Sequence, residues 1–186
     1  LSTYYLVLST LYLLLLTRLM KITLILIGKT DSKMYQAAID DYVSRINHYL
    51  PFDIQVIPDV KNSKNLSEQQ QKQKEGEAIL RLLSPSDTVI LLDERGKEFR
   101  SVEYAAWIEK KQQTAKRLTF VIGGPYGFAK EVYDRANEKI SLSKMTFSHQ
   151  MVRLIFTEQL YRACTIIKGE PYHHDSLGFK VKGFKV

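Results

Sequence analysis

The sequence has one cysteine, Cys164, among 186 residues, so no internal disulfide can form and a core has to hold by packing. Cys164 lies in an apolar helical stretch and reads as a buried structural thiol rather than a reactive one. The four histidines do not combine with it at zinc-ligand spacing, and no metal is expected. A phosphate-binding P-loop is also missing. Its nearest approximation, residues 123–130, has no glycine beside Lys130 and no Ser or Thr after it. A Rossmann-type site places its glycines directly after the first strand and an acid at the end of the second. Here the first strand leads only into Gly28-Lys29-Thr30, and the second ends at Ile57-Pro58. These absences exclude disulfide scaffolds, zinc modules, P-loop NTPases and common dinucleotide-binding folds.

No apolar run is long enough to span a bilayer comfortably. Residues 1–16 carry no charge and are followed by Thr17 and Arg18, but a membrane helix takes about 20 apolar residues. The basic start and small-residue cleavage site of a secretory signal are absent as well. Residues 1–19 are therefore expected to be extraneous to the domain, with Met20 opening it; a membrane role depends on those residues being genuine. The tail 175–186, with two Gly-Phe-Lys-Val echoes, is likewise atypical. The domain is expected over 20–174, in the cytoplasm.

What is present is an ordinary globular composition, 45% hydrophobic and 25% charged, with a net charge of +7 that suits a polyanionic partner. Arg18, Lys180, Lys182, Lys185 and Asp175 lie in the two ends, so the basic excess of the core is milder. Apolar runs rich in β-branched residues predict strands at 20–27, 52–57, 87–92, 117–122 and 139–142. Helices are predicted over 31–50, from a Ser67 cap to about 83, from a Ser101 cap to about 111, over 129–137, and over 149–167. The run EQQQKQKEGE opening the second helix reads as a solvated face. This alternation predicts an α/β fold, a mostly parallel sheet flanked by helices. Ligands of such sheets bind at the carboxyl ends of the strands. The loops of interest are therefore 93–98, the glycine-rich 123–127, and 143–148.

Three segments then carry a resemblance: FVIGGPYG after the fourth strand, ISLSKMTFSHQMVRLIFTEQLYRA, and the closing KGEPYHH. Together with MKITLILIGK and VILLDERGKEF, they resemble the RlmH family over residues 20–174. These are SPOUT-class methyltransferases acting on N3 of a pseudouridine in large-subunit ribosomal RNA. The resemblance implies a C-terminal trefoil knot, S-adenosylmethionine as methyl donor, and a homodimer in which two subunits build each active site. It implies cofactor contacts at Leu92, Gly123, Leu142, Ser143, Lys144, Met145, Thr146 and Phe147. It places substrate binding and catalysis on Tyr172, His173 and His174.

To these, residue chemistry adds Arg153, with Lys168, as expected holders of RNA phosphates, and His173 as the expected proton-handling group. His149 and Arg153 share a helix face, though His149 also suits a helix cap; Glu158 and Arg162 have the spacing of a structural ion pair. The last helix carries more apolar residues than one stripe needs, which fits either a dimer or a helix sandwiched within one chain. A non-catalytic ribosome-binding factor using the same basic face is the alternative reading.

Overall fold

A computed structural model describes residues 20–60 and 65–174; the expectations for 1–19 and 175–186 lie outside the described residues. Five strands form one fully parallel sheet: β1 (Lys21–Ile27), β2 (Phe52–Ile57), β3 (Thr88–Glu98), β4 (Arg117–Ile122) and β5 (Glu138–Ser141), in the order β2-β1-β4-β3-β5. The connecting helices are α1 (Lys33–Ile46), α2 (Glu68–Leu82), α3 (Ser101–Thr114) and α4 (Lys130–Arg135), and α5 (His149–Lys168) follows β5.

Both faces of the sheet are covered, which explains why its strands are apolar throughout rather than alternating. Ile22, Leu24 and Leu26 of β1 and Phe120 of β4 point to one side, where they meet Ile46, Ile108, Phe156 and Leu160 of α1, α3 and α5. Ile25, Ile27, Leu91 and Val121 point to the other, against Ile79 of α2 and Val132 of α4. Phe156 is fully buried and its ring lies 4.8 Å from that of Phe120. Burial of one such side chain contributes about 1.5–3 kcal/mol, and this contact seats α5 on the sheet.

Helix α3 runs on to Thr114 and α4 is shorter than expected, and three further differences have a visible cause. Helix α1 ends at Ile46 rather than near Pro51. The Asn47 amide donates to Phe52 O and accepts from Phe52 N, so it satisfies the start of β2 instead of extending the helix. Ser101 opens α3 rather than capping it, because Glu103 Oε2 accepts from the Arg100 backbone N–H. Strand β3 does not stop at Leu92. Ile140 of β5 pairs with Leu92 and again with Lys97, so residues 93–96 leave the ladder and rejoin it on the far side of one residue. A Cβ on Gly96 would lie 2.3–2.6 Å from the backbone C, Cα and N of Ile140, and only glycine allows the approach.

Candidate functional site

The parallel sheet brings the carboxyl ends of β3, β4 and β5 together, and a cavity of about 580 Å³ opens there. Leu92 ends the regular part of β3, Gly123 follows β4, and Leu142 follows β5; all three line the cavity. Ser143, Met145, Thr146 and Phe147 of the loop after β5 line it too. Two serines shape that loop: Ser141 Oγ donates to Ser143 O at 2.9 Å, and Met145 N donates to Ser143 Oγ at 2.9 Å. The Met145 side chain is 75% exposed, an apolar group held at an open rim. Lys144 is the exception among the expected cofactor residues. It does not line the cavity, and its ammonium points out toward Glu98, 3.8 Å away.

Further residues take part that the sequence did not single out individually. Asp93 and Tyr133 both line the cavity, with Tyr133 OH donating to Asp93 Oδ2 at 2.5 Å. Burial, with that bond, pushes the Tyr133 phenol up to about 12. Lys72 of α2 and Arg95 supply the cations of the wall. Behind the wall sits Glu75, only 3% exposed, although its surroundings in the sequence read as a solvated face. Gly76 lets α2 press onto α4, since a Cβ there would stand 2.8 Å from Ala129 Cβ. This carries the Glu75 carboxyl up to Gly124, where an added Cβ would lie 2.2 Å from Oε2. Gln71 Nε2 donates to Glu75 Oε1, while Oε2 has no partner among the described residues. Burial, reinforced by Asp59, raises the Glu75 carboxyl above the usual carboxylate range, and the Gln71 bond opposes that rise. The glycines at 76 and 124 were the available signal, but only their pairing across the fold gives them meaning.

His149 lines the cavity rim at the start of α5. It does not cap the helix; Ser148 does, accepting from Met151 N. Partial burial first, then the charge of Arg153, lowers the imidazole from its ordinary value of 6.5. The unfolded chain therefore takes up this proton more readily than the folded one, and acidification below 6.5 favours unfolding at this position. In an NMR titration the His149 ring should show a midpoint below 6.5; a midpoint at or above that value would contradict the placement.

The expected catalytic residues fall in two other places, and none of the four lines the cavity. Arg153 is 3% exposed and turned inward. Its guanidinium donates to Ile27 O at 2.6 Å and to Thr30 Oγ1 at 2.9 Å. It clamps the end of β1 to α5, so in this chain it does not present its charge to an RNA backbone, contrary to expectation. Lys168 lies about 22 Å further along the same helix, beside a smaller cavity with Met20 and Cys164. Cys164 is buried as expected, and desolvation pushes its thiol up to about 12.

Tyr172 and His173 fold back onto the outer side of α5, while His174 is exposed. The Tyr172 ring packs edge-on against Tyr161 at 4.8 Å, and its hydroxyl lies 3.2 Å from Glu158 Oε1 and 3.5 Å from Tyr42 OH. Burial first, then these neighbours, raises the Tyr172 phenol above its ordinary value. Cavity and Tyr-His cluster are thus separate places in the single chain.

Among the described residues no group of three or more His, Cys, Asp or Glu side chains could hold a metal ion, and no helix is long and apolar enough to cross a membrane. Residues 20–173 match the family profile described as "Predicted SPOUT methyltransferase". The chain is 65% identical over 157 residues to a protein of Phocaeicola vulgatus named ribosomal RNA large subunit methyltransferase H, covering 84% of this chain and all of that protein. Proteins of the same name from Parabacteroides distasonis and Christiangramia forsetii are each 62% identical. They cover 84% and 83% of this chain and 100% and 99% of their own lengths.

Proposed function

As the chain belongs to the SPOUT methyltransferase family, we propose that it methylates large-subunit ribosomal RNA, at N3 of a pseudouridine, using S-adenosylmethionine. The carrying observation is the cavity formed by three loops at the carboxyl ends of β3, β4 and β5. Its volume suits a small-molecule site, typically about 300–1,000 Å³. Leu92, Leu142, Met145 and Phe147 offer apolar faces for a flat ring, and the strand-end backbone around Gly123 offers polar groups for its edge. The residues present therefore fit such a cofactor, which when bound supplies a methyl group already activated on a sulfonium.

The protein's share of the work is alignment and exclusion of water. Leu92, Gly123 and residues 142–147, with the exception of the outward-pointing Lys144, hold the donor. Tyr172, His173 and His174 meet the RNA base, where aromatic stacking and cationic contacts recognise an unstacked nucleotide. Because the cavity and the Tyr-His cluster stand apart in one subunit, we propose that a homodimer joins them, the cluster of one copy facing the cavity of the other. Met151, Leu154 and Ile155 of α5 remain only half-buried in the single chain and supply apolar surface for that contact. We take the detour of residues 93–96 around β5 as part of the family's knot, and residues 20–174 as the catalytic domain, acting in the cytoplasm where ribosomes are.

Ribosomes incubated with the protein and labelled S-adenosylmethionine should take up label in large-subunit RNA, and nuclease mapping should locate it at a pseudouridine. Label in ribosomal protein, or none at all, would defeat the proposal. Absence of cofactor affinity by calorimetry would favour a binding factor of the same fold.

A further inference from the structure

Resting on the placement of His173 in the substrate site, we propose that the Glu158–Arg162 pair is a positioning device that fixes the tautomer of His173, with its proton on Nε2, and so makes this ring a hydrogen-bond donor to the substrate rather than the base that deprotonates it. The pair has the spacing of an ordinary ion pair on a helix, but its contacts extend beyond itself. Arg162 Nη2 donates to Glu158 Oε1 at 2.5 Å. The other terminal nitrogen, Nη1, lies 3.4 Å from His173 Nδ1. The guanidinium also sits over the Tyr172 ring, 4.8 Å from its centre. Glu158 is held in turn, since Oε1 accepts from Tyr172 OH and Oε2 from Gln159 Nε2. One guanidinium thus touches both residues of the Tyr-His segment, and one carboxylate orients the guanidinium.

A guanidinium has five N–H donors and no acceptor, and it stays protonated in proteins. A ring nitrogen facing it must therefore present its lone pair, which makes Nδ1 the acceptor. The ring proton of the neutral imidazole is then on Nε2. That atom has no hydrogen-bond partner among the described residues and is shielded from solvent in the single chain, so it reaches a substrate only when the Tyr-His segment turns outward. A shielded polar group without a partner is uncommon in a native fold, and a catalytic role is among its standard explanations.

Donation suits the chemistry. As the S–CH3 bond breaks, leaving its electron pair on sulfur, the N3–C bond forms and the N3–H bond breaks, its proton passing to bulk solvent at the open edge of the site. Negative charge that develops on the flanking carbonyl oxygens is stabilised by an N–H held in place beforehand. His173 keeps its own proton throughout.

The tautomer can be read without turnover. In the full chain labelled with 15N-histidine, a long-range proton–nitrogen NMR spectrum distinguishes pyridine-like from pyrrole-like ring nitrogens, and His173→Ala assigns the signals. The expected result is a pyridine-like Nδ1 and a pyrrole-like Nε2, with the preference complete in the parent and in Arg162→Lys and reduced in Arg162→Met to the partial Nε2–H excess of a free imidazole. A pyrrole-like Nδ1 in the unsubstituted protein, or an unchanged tautomer in Arg162→Met, would overturn the assignment. Turnover gives a second reading. The amide N–H of His173→Gln can take the place of Nε2–H, so this variant should stay within about tenfold of the parent, whereas His173→Asn should lose about 10²–10³ in kcat. Equal losses in both would overturn the donor role. A parent protein that leaves ribosomes unmethylated would count against the proposed function alone, with the tautomer still decided by the spectrum.

Discussion

Gly96→Ala should be the most damaging small substitution in the domain. The added methyl would stand 2.3 Å from the carbonyl carbon of Ile140 and 2.6 Å from its N and Cα. These are backbone atoms of β5, held between Leu92 and Lys97 of β3, so no side-chain rotation relieves the contact. Overpacking usually costs about 1–3 kcal/mol, and a site that cannot yield belongs at the top of that range. In a domain of this size, about 3 kcal/mol lowers the melting temperature by roughly 10 °C. Thermal unfolding followed by circular dichroism measures it. A loss of only a degree or two would mean that β5 does not run against Gly96. Residues 93–96 also carry Asp93 and Arg95 into the cavity wall, so cofactor affinity should fall together with stability.

Gly124→Ala should weaken cofactor binding through a contact on the far side of the cavity wall. Its methyl would meet Glu75 Oε2 at 2.2 Å and the carboxyl carbon at 2.8 Å. Glu75 has little room to retreat, being 3% exposed and bonded through Oε1 to Gln71. The Gly123-Gly124 turn must then shift into the cavity, and a distortion costing about 1.4 kcal/mol already reduces affinity tenfold. Glu75→Ala removes the obstructing carboxyl, so Gly124→Ala should cost much less in that background. Residues in contact couple by about 0.5–3 kcal/mol in such double-mutant cycles. Calorimetric titration of S-adenosylmethionine against the four proteins gives the coupling; strict additivity would show that the carboxyl and the turn do not press on one another.

Much of the fold follows from local chemistry. Strands β1, β2 and β4 are short runs of branched apolar residues bounded by Gly or Pro, and their limits agree with the sequence to within a residue. The Ser67 cap starts α2 as expected because its hydroxyl accepts from Gln70 N while the Gln70 side chain returns to the Ser67 N–H. The strand-end rule for parallel sheets also found the loops of the cavity, since that rule depends on topology and topology follows from the alternation of elements. Where expectation failed, a distant partner decided the outcome. Residues 97 and 98 read as a charged loop and became strand because β5 pairs with them. Glu75 read as one acid in a solvated run and became buried because Gly76 lets α2 close on α4. Arg153 read as a phosphate ligand and became a clamp because Ile27 O and Thr30, more than a hundred residues earlier, face it across the domain.

By itself, then, the sequence determined the α/β class, the parallel sheet and the loops that surround the cavity, because periodicity, caps and turn residues act over a few positions. The absence of disulfide, zinc and P-loop patterns narrowed the chemistry in the same local way. Only the tertiary structure decided which charged and polar side chains face the cavity, which are enclosed behind it, and which stand apart with Tyr172 and His173. The reason is physical. Burial and pairing of a polar group depend on what the rest of the chain places beside it, and neighbours such as Gly124 for Glu75 or Arg162 for His173 come together only when the helices dock.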